Sequence, residues 1–173
     1  MVYTYTYGQV AKIGYVNLTY IYGNMPAFKT LNTKLNQDSD KYSKVLEEKN
    51  TSYIGKLKRY QELTQSGAND AITKDLEIEL TNLQKSLEEF QTNAQNDLQQ
   101  IYQKEFTPIE AKVMTAIKEY GVIQNYNIIF RNNMDEALQE SKPTVLYAAD
   151  PNADISNEIL KKLGVKIPET GQK

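Results

Sequence analysis

The chain has 173 residues, of which 40% are hydrophobic, and its 20 basic and 22 acidic side chains leave a net charge of −2. It contains no histidine and no cysteine, which excludes the usual general base, a thiol nucleophile, zinc or iron–sulfur ligation and disulfides and leaves only carboxylate, lysine or hydroxyl chemistry; no catalytic, cofactor or metal residues are expected. The acidic balance argues against a nucleic-acid partner held through phosphates, and no apolar run of about 18 residues is present to span a membrane.

At the start, Met1-Val2-Tyr3-Thr4-Tyr5-Thr6-Tyr7 lacks the basic and apolar stretches of an export signal, so the chain is either cytosolic or exported by a signal outside this sequence. Tyr3, Tyr5 and Tyr7 alternate like one face of a strand, and 13 tyrosines occur in all without a tryptophan. They serve either ordinary amphipathic packing or adaptable contact with partners, since a tyrosine presents a flat apolar ring and keeps its hydroxyl wet. The segment Val10-Ala11-Lys12-Ile13-Gly14-Tyr15-Val16-Asn17 is rich in strand formers.

From Ala27 to Lys118 the pattern is that of two long amphipathic helices separated by one breaker cluster, Gln65-Ser66-Gly67-Ala68-Asn69-Asp70. The outgoing arm offers Phe28, Leu31, Leu35, Tyr42, Val45, Tyr53, Leu57 and Tyr60, but its seam is polar near Asp38 and Lys49. Such polar seam positions either fix register at a cost in stability or mark marginal packing. The return arm is more regular: Ile72, Leu76, Leu80, Leu83, Leu87, Phe90 and Ala94 step by four and three, and the step lengthens at Leu98 and Ile101. An arm of about 40 residues rises ~60 Å, so reach is its expected purpose.

Charge separates the arms. Phe28 to Gln65 carries eight basic and five acidic residues, whereas Ala71 to Phe106 carries three basic and seven acidic, which favours antiparallel pairing. Lys56, Lys58 and Arg59 near the turn are either a basic patch or a solvated helix face.

Beyond the arms, Ile109, Val113, Ala116 and Ile117 form a helical stripe after Pro108, which is placed to bend or restart the helix, and Gly121 is the expected stop. Tyr126–Phe130 and Thr144–Ala148 are expected to join the first strand in one small sheet, with a helical turn at Met134–Leu138 between them. Ser156 is the expected N-cap of a last helix, Ile155 and Leu160 have staple spacing, and Gly164 is its terminator. The fold class is thus α+β: a long antiparallel helical hairpin, residues 27–106, inserted in and projecting from a small β-rich body, residues 1–26 plus 107–173. Three strands and two short helices leave the strands incompletely covered, so the body is expected to self-associate through Ile13, Tyr15, Val16, Ile128, Phe130, Val145 and Tyr147.

The ordered motifs Lys12-Ile13-Gly14-Tyr15-Val16-Asn17, Met25-Pro26-Ala27-Phe28, Thr107-Pro108-Ile109 with Lys112-Val113 and Ala116-Ile117, Asn125-Tyr126, Val145-Leu146-Tyr147-Ala148 and Asp154-Ile155-Ser156 with Glu158–Gly164 resemble the Skp/OmpH-like family of periplasmic chaperones. The resemblance implies a homotrimer joined through the body, three hairpins around a cavity that holds unfolded outer-membrane proteins, residence in the periplasm, and neither ATP nor catalysis. On that basis the client contacts are assigned to Tyr42, Tyr53, Ile54 and Tyr60, with transient contact to a membrane surface as a further expectation. The best-known members are strongly basic, whereas this chain is acidic. The alternative is a prefoldin-like or coiled-coil tethering protein without outer-membrane clients, and an enzyme using carboxylates or lysine is the class least supported.

Overall fold

The structure is a computed structural model and describes residues 11–67, 70–132, 145 and 147–167. In chain order the elements are β1 (Ile13–Val16), α1 (Leu18–Asn24), α2 (Pro26–Gln65), α3 (Asp70–Ile123), β2 (Ile128–Arg131), a 3-10 turn (Pro151–Ala153) and α4 (Ser156–Lys162). The fold is therefore α+β, long helices with a small sheet. The chain divides into two compact units, Met1–Thr30 with Phe106–Lys173, and Leu31–Glu105.

In the first unit β1 and β2 pair in parallel, Ile13 beside Ile128 and Val16 beside Arg131. Two parallel strands cannot be joined by a tight turn and need a crossover. Here that crossover consists of α1, α2 and α3. The start of the sheet is tied twice, by the Asn127 N–H donating to the Lys12 carbonyl at 2.8 Å and the Lys12 N–H donating to Asn127 Oδ1 at 2.7 Å. On its other edge β1 meets the chain before α4, where the Ile155 N–H donates to the Tyr15 carbonyl at 3.0 Å and Tyr15 bridges Asp154. The core beneath consists of Val16, Ile21, Val113, Ile155, Ile159 and Leu160, all buried, with Ile109 and Ala116 continuing the α3 stripe. Each fully buried side chain of this size contributes about 1.5–3 kcal/mol.

Several local signals resolve differently from the sequence expectation. The helix α1 was not anticipated; Asn17 caps it by accepting from the Tyr20 N–H at 2.9 Å, and it buries Leu18 and Ile21. Pro26 then opens α2 at the first helical position, where a missing N–H is harmless. Pro108 does not restart α3, which runs unbroken through it. Flanking contacts hold that helix in place: Phe106 packs edge-on against Tyr22 at 5.0 Å between ring centroids, and Ile109 lies in the core. Gly121 does not stop α3 either. The stop is Asn125 at φ 55°, with the Tyr126 N–H reaching the Gly121 carbonyl and the Asn125 N–H the Val122 carbonyl, the paired bonds of a Schellman turn. Gly164, at φ 73°, ends α4 by the same pair of bonds, to Leu160 and Lys161.

Ser156 is the first residue of α4 rather than its cap. It is buried, and its hydroxyl donates to Asp154 Oδ1 at 2.5 Å and accepts from the Asn17 N–H at 2.8 Å, which ties β1 to α4. The strand expected at Thr144–Ala148 is absent at Val145, Tyr147 and Ala148, which are irregular, and Thr144 and Leu146 lie outside the described residues. So do Tyr3, Tyr5, Tyr7, Val10 and the expected turn at Met134–Leu138. Val145 is held instead through its N–H, which donates to Asn132 Oδ1 at 3.0 Å.

Glycine matters here for close approach. A Cβ on Gly14 would lie 2.7 Å from Tyr126 Cε1 and 3.3 Å from the Ala153 carbonyl oxygen, and one on Gly121 would lie 3.1 Å from Ile129 Cδ1. Gly14→Ala should lower stability by about 1–3 kcal/mol through overpacking, and Gly121→Ala by less, because the end of Ile129 can yield. Gly55→Ala, in mid-α2 with nothing within 4 Å, should raise stability by about 1 kcal/mol. Denaturant unfolding of the three variants checks the order.

Candidate functional site

Two surfaces stand out, one on each unit. The first is the outer face of the sheet. Side chains alternate along a strand, so Gly14 and Val16 turn inward, and Ile13 and Tyr15 turn out beside Ile128 and Phe130 of the partner strand. Ile13 is 51% exposed, Ile128 48%, Phe130 42% and the neighbouring Tyr147 84%. Of the residues expected at an interface, Val16 stands apart, since it is buried in the chain's own core. The open face forms a groove of about 610 Å³ lined by Ile13, Tyr15, Phe130, Val145, Tyr147 and Ala153 among others.

This surface is physically unfinished. Parallel sheets occur almost only with both faces covered, and an isolated two-stranded ribbon is marginal in water. Among the described residues β2 has no second strand partner. Covering the half-exposed isoleucines and the phenylalanine would contribute several kcal/mol at roughly 25 cal/mol per Å².

The second surface is the hairpin of α2 and α3 within Leu31–Glu105. Four cross-arm links fix it as antiparallel, since partner numbers fall on α3 as they rise on α2: Lys34 to Glu105 at 2.9 Å, Tyr42 hydroxyl to Asp97, Lys49 to Ser86 Oγ at 2.8 Å, and Lys56 to Glu79. Among the described residues its buried apolar side chains are few: Leu31, Leu76, Leu80 and Ala94. The polar seam positions are satisfied rather than stranded. Asp38 accepts from Lys41 at 2.6 Å, and Lys49 also lies 5.8 Å from the centroid of the Phe90 ring, which Tyr42 approaches edge-on at 6.0 Å. The Tyr42 phenol is pushed above its usual pKa, chiefly by its hydrogen bond to Asp97. The Glu105 carboxyl is held below its usual value, first by the hydrogen bond from Lys34 and then by that charge.

The residues assigned to client contact fall into two groups. Tyr42, Tyr53 and Tyr60 are half-buried in the seam, while Ile54 is exposed. Two further isoleucines, Ile72 and Ile78, are exposed as well, and neither is among the residues the sequence assigns to client contact. The seam spacing predicts Ile72 at the interface, but the half-buried position there is Thr73. Ile78, between Glu77 and Glu79, falls off the three-four rhythm, and that spacing was the available signal. Lys58 and Arg59 are exposed, whereas Lys56 is engaged by Glu79. Among the described residues no group of three or more acidic side chains is placed to hold a metal ion, and no helix is long and apolar enough to cross a membrane.

The family model described as outer membrane protein (OmpH-like) matches residues 12–163. A crystal structure from Caulobacter crescentus CB15, described as an OmpH-like outer membrane chaperone, superposes with a TM-score of 0.67 at 13% identity, covering 100% of this chain and 96% of that one. That likeness is one of fold. No curated protein gives a significant match.

The hairpin geometry sets an uneven stability along the arms. Amides near Asp38 to Lys49, held by polar links, should exchange faster than those at Leu76 to Leu80, and Lys49→Leu should reduce the difference by making the seam apolar. The Lys34–Glu105 link has a pH signature whose sign follows from the lowered carboxyl. Its contribution is present above the ordinary glutamate value of about 4.3 and is lost as the pH falls through the lower value of the folded state. Exchange near Lys34 and Glu105 should therefore quicken in acid, by a small factor because both groups are exposed, and Glu105→Gln should remove the step.

Proposed function

The chain belongs to the OmpH-like family of outer membrane proteins, and we propose that it is an ATP-independent holdase that binds unfolded outer-membrane proteins in the periplasm and keeps them from aggregating. The observation that carries the reading is the hairpin surface: Ile54, Ile72 and Ile78 are exposed, one by one, on arms whose seam is closed by polar links. An unfolded β-barrel protein presents alternating apolar side chains over long stretches, and separated isoleucines offer it many weak anchors. Tyr42, Tyr53 and Tyr60 add flat apolar surface wherever an arm loosens. Such contacts slow aggregation by keeping one client from meeting another, and no chemical step is required.

The same reading makes the body the organising centre. Ile13, Tyr15, Ile128, Phe130, Val145 and Tyr147 form the face through which copies assemble as a homotrimer, while Val16 supports that face from the core. Since the net charge is −2, client binding should weaken only modestly with salt.

Light scattering at micromolar concentration should give the mass of three chains, and Ile128→Asp should reduce it to one while leaving helical circular dichroism largely intact. In a light-scattering assay of diluted, denaturant-unfolded membrane β-barrel protein, about one trimer per client should suppress aggregation without nucleotide. Replacing Lys44–Asn93 by a short glycine–serine turn should abolish suppression and preserve the trimer. A shortened protein that still kept the client soluble would place the binding surface elsewhere.

A further inference from the structure

A ring of three identical chains is closed by a heterologous contact, in which one patch on each copy meets a different patch on the next. The open sheet face supplies only one of the two. Two such faces meeting about a two-fold axis would give an isologous pair, whereas a ring is completed by a second patch on the same unit.

That feature is at the end of α3. Ile109, Val113 and Ala116 are buried along one stripe of the helix, Tyr120 is half-buried, and Ile123 is the next position in the same three-four rhythm. Yet Ile123 is 65% exposed, and Val122 beside it 78%. These are large apolar side chains placed just ahead of the Asn125 turn, on backbone held rigidly by the Tyr126 and Asn125 N–H bonds and by Lys12 Nζ donating to the Gln124 carbonyl at 2.8 Å. Neither feature covers the other within one chain, since Ile13, Phe130 and Tyr147 of the groove remain exposed as well.

Charge is complementary. Lys118 lies one helical turn before Val122 on the same face, is exposed, and makes no ion pair among the described residues. Asp150 lies in the groove lining and likewise makes no ion pair there; its Oδ1 accepts from the Asn152 N–H at 2.8 Å and from Asn152 Nδ2 at 3.1 Å.

We propose that Val122 and Ile123 of one copy seat in the sheet-face groove of the next, with Lys118 facing Asp150 across the contact, so that assembly runs head to tail. The inference rests on the reading that the chain forms a trimer. It adds the second patch and the direction of assembly.

The test uses two full-length variants, Val122→Asp with Ile123→Asp on the helix end, and Tyr147→Asp in the groove. All three positions are exposed in the single chain, so each variant should fold, as circular dichroism would verify. Each variant alone should scatter light with the mass of one chain. An equimolar mixture should give the mass of two, because one sound contact remains and the ring cannot close. Lys118→Glu and Asp150→Lys should each weaken the trimer a few-fold, and the doubly substituted chain should recover it. A helix-end variant that trimerises like the wild type, or a mixture that contains only single chains, overturns the inference and leaves the trimer reading standing. A wild-type protein of one-chain mass overturns that reading and the inference with it.

Discussion

The parallel pairing of β1 with β2 is the constraint from which the rest of the molecule follows. A parallel neighbour has to be reached by a crossover, and the chain spends Leu18 to Ile123 on it. Because that crossover is almost wholly helical and folds back at one turn, its two ends return together, and the loop-closure entropy of joining distant strands is offset by helix formation along the way. The register is then pinned from three sides: Lys12 and Asn127 exchange bonds at the start of the sheet, Ser156 bonds Asn17 at its end, and Gly14 and Gly121 let the Tyr126 ring and Ile129 come close. A small body held by so few strands depends on these local fixtures because its core is modest.

In the hairpin the division of labour is different. Apolar burial is concentrated at Leu31, Leu76, Leu80 and Ala94, and the intervals are bridged by a tyrosine–aspartate bond, a lysine–serine bond and ion pairs. Exposed pairs of this kind contribute little stability each, but they discriminate strongly between registers, since sliding one arm by a turn would leave Lys49 and Asp97 without partners. Register is thereby specified more firmly than stability.

How much of this was legible in the sequence depended on whether the signal was periodic or local. The return-arm seam from Leu76 to Ala94 was readable because repetition averages out single exceptions. The turn near Gly67 was readable because several breakers coincide there. Single-residue rules failed where tertiary contacts outweighed them. Pro108 sits inside a continuous helix because Phe106 and Ile109 are anchored on either side, Gly121 serves close packing while Asn125 takes the left-handed turn, and Ser156 is drawn inward by Asp154 and Asn17. The helix α1 was hidden by its length of seven residues, too short for a periodic signal, although Asn17 is a good cap. For the sheet face, alternation in Ile13-Gly14-Tyr15-Val16 predicted which residues share a side, yet not that Val16 faces the core, because that depends on which face the α3 stripe covers.

The two exposed apolar surfaces differ in a way that bears on their uses. On the sheet, Ile13, Ile128, Phe130 and Tyr147 adjoin one another around a groove, and a contiguous patch of that kind is best satisfied by one fixed neighbour. On the hairpin, Ile54 is followed by Gly55 and Lys56, Ile72 by Thr73 and Lys74, and Ile78 is enclosed by Glu77 and Glu79. Charges at such spacing keep the isoleucines from merging into a patch, which limits association of the arms with one another. A flexible chain can still reach each isoleucine between its charges, because an extended segment contacts one side chain at a time. The same residue type thus favours permanent contact in one setting and transient contact in the other, and the difference lies in what stands next to it in the sequence.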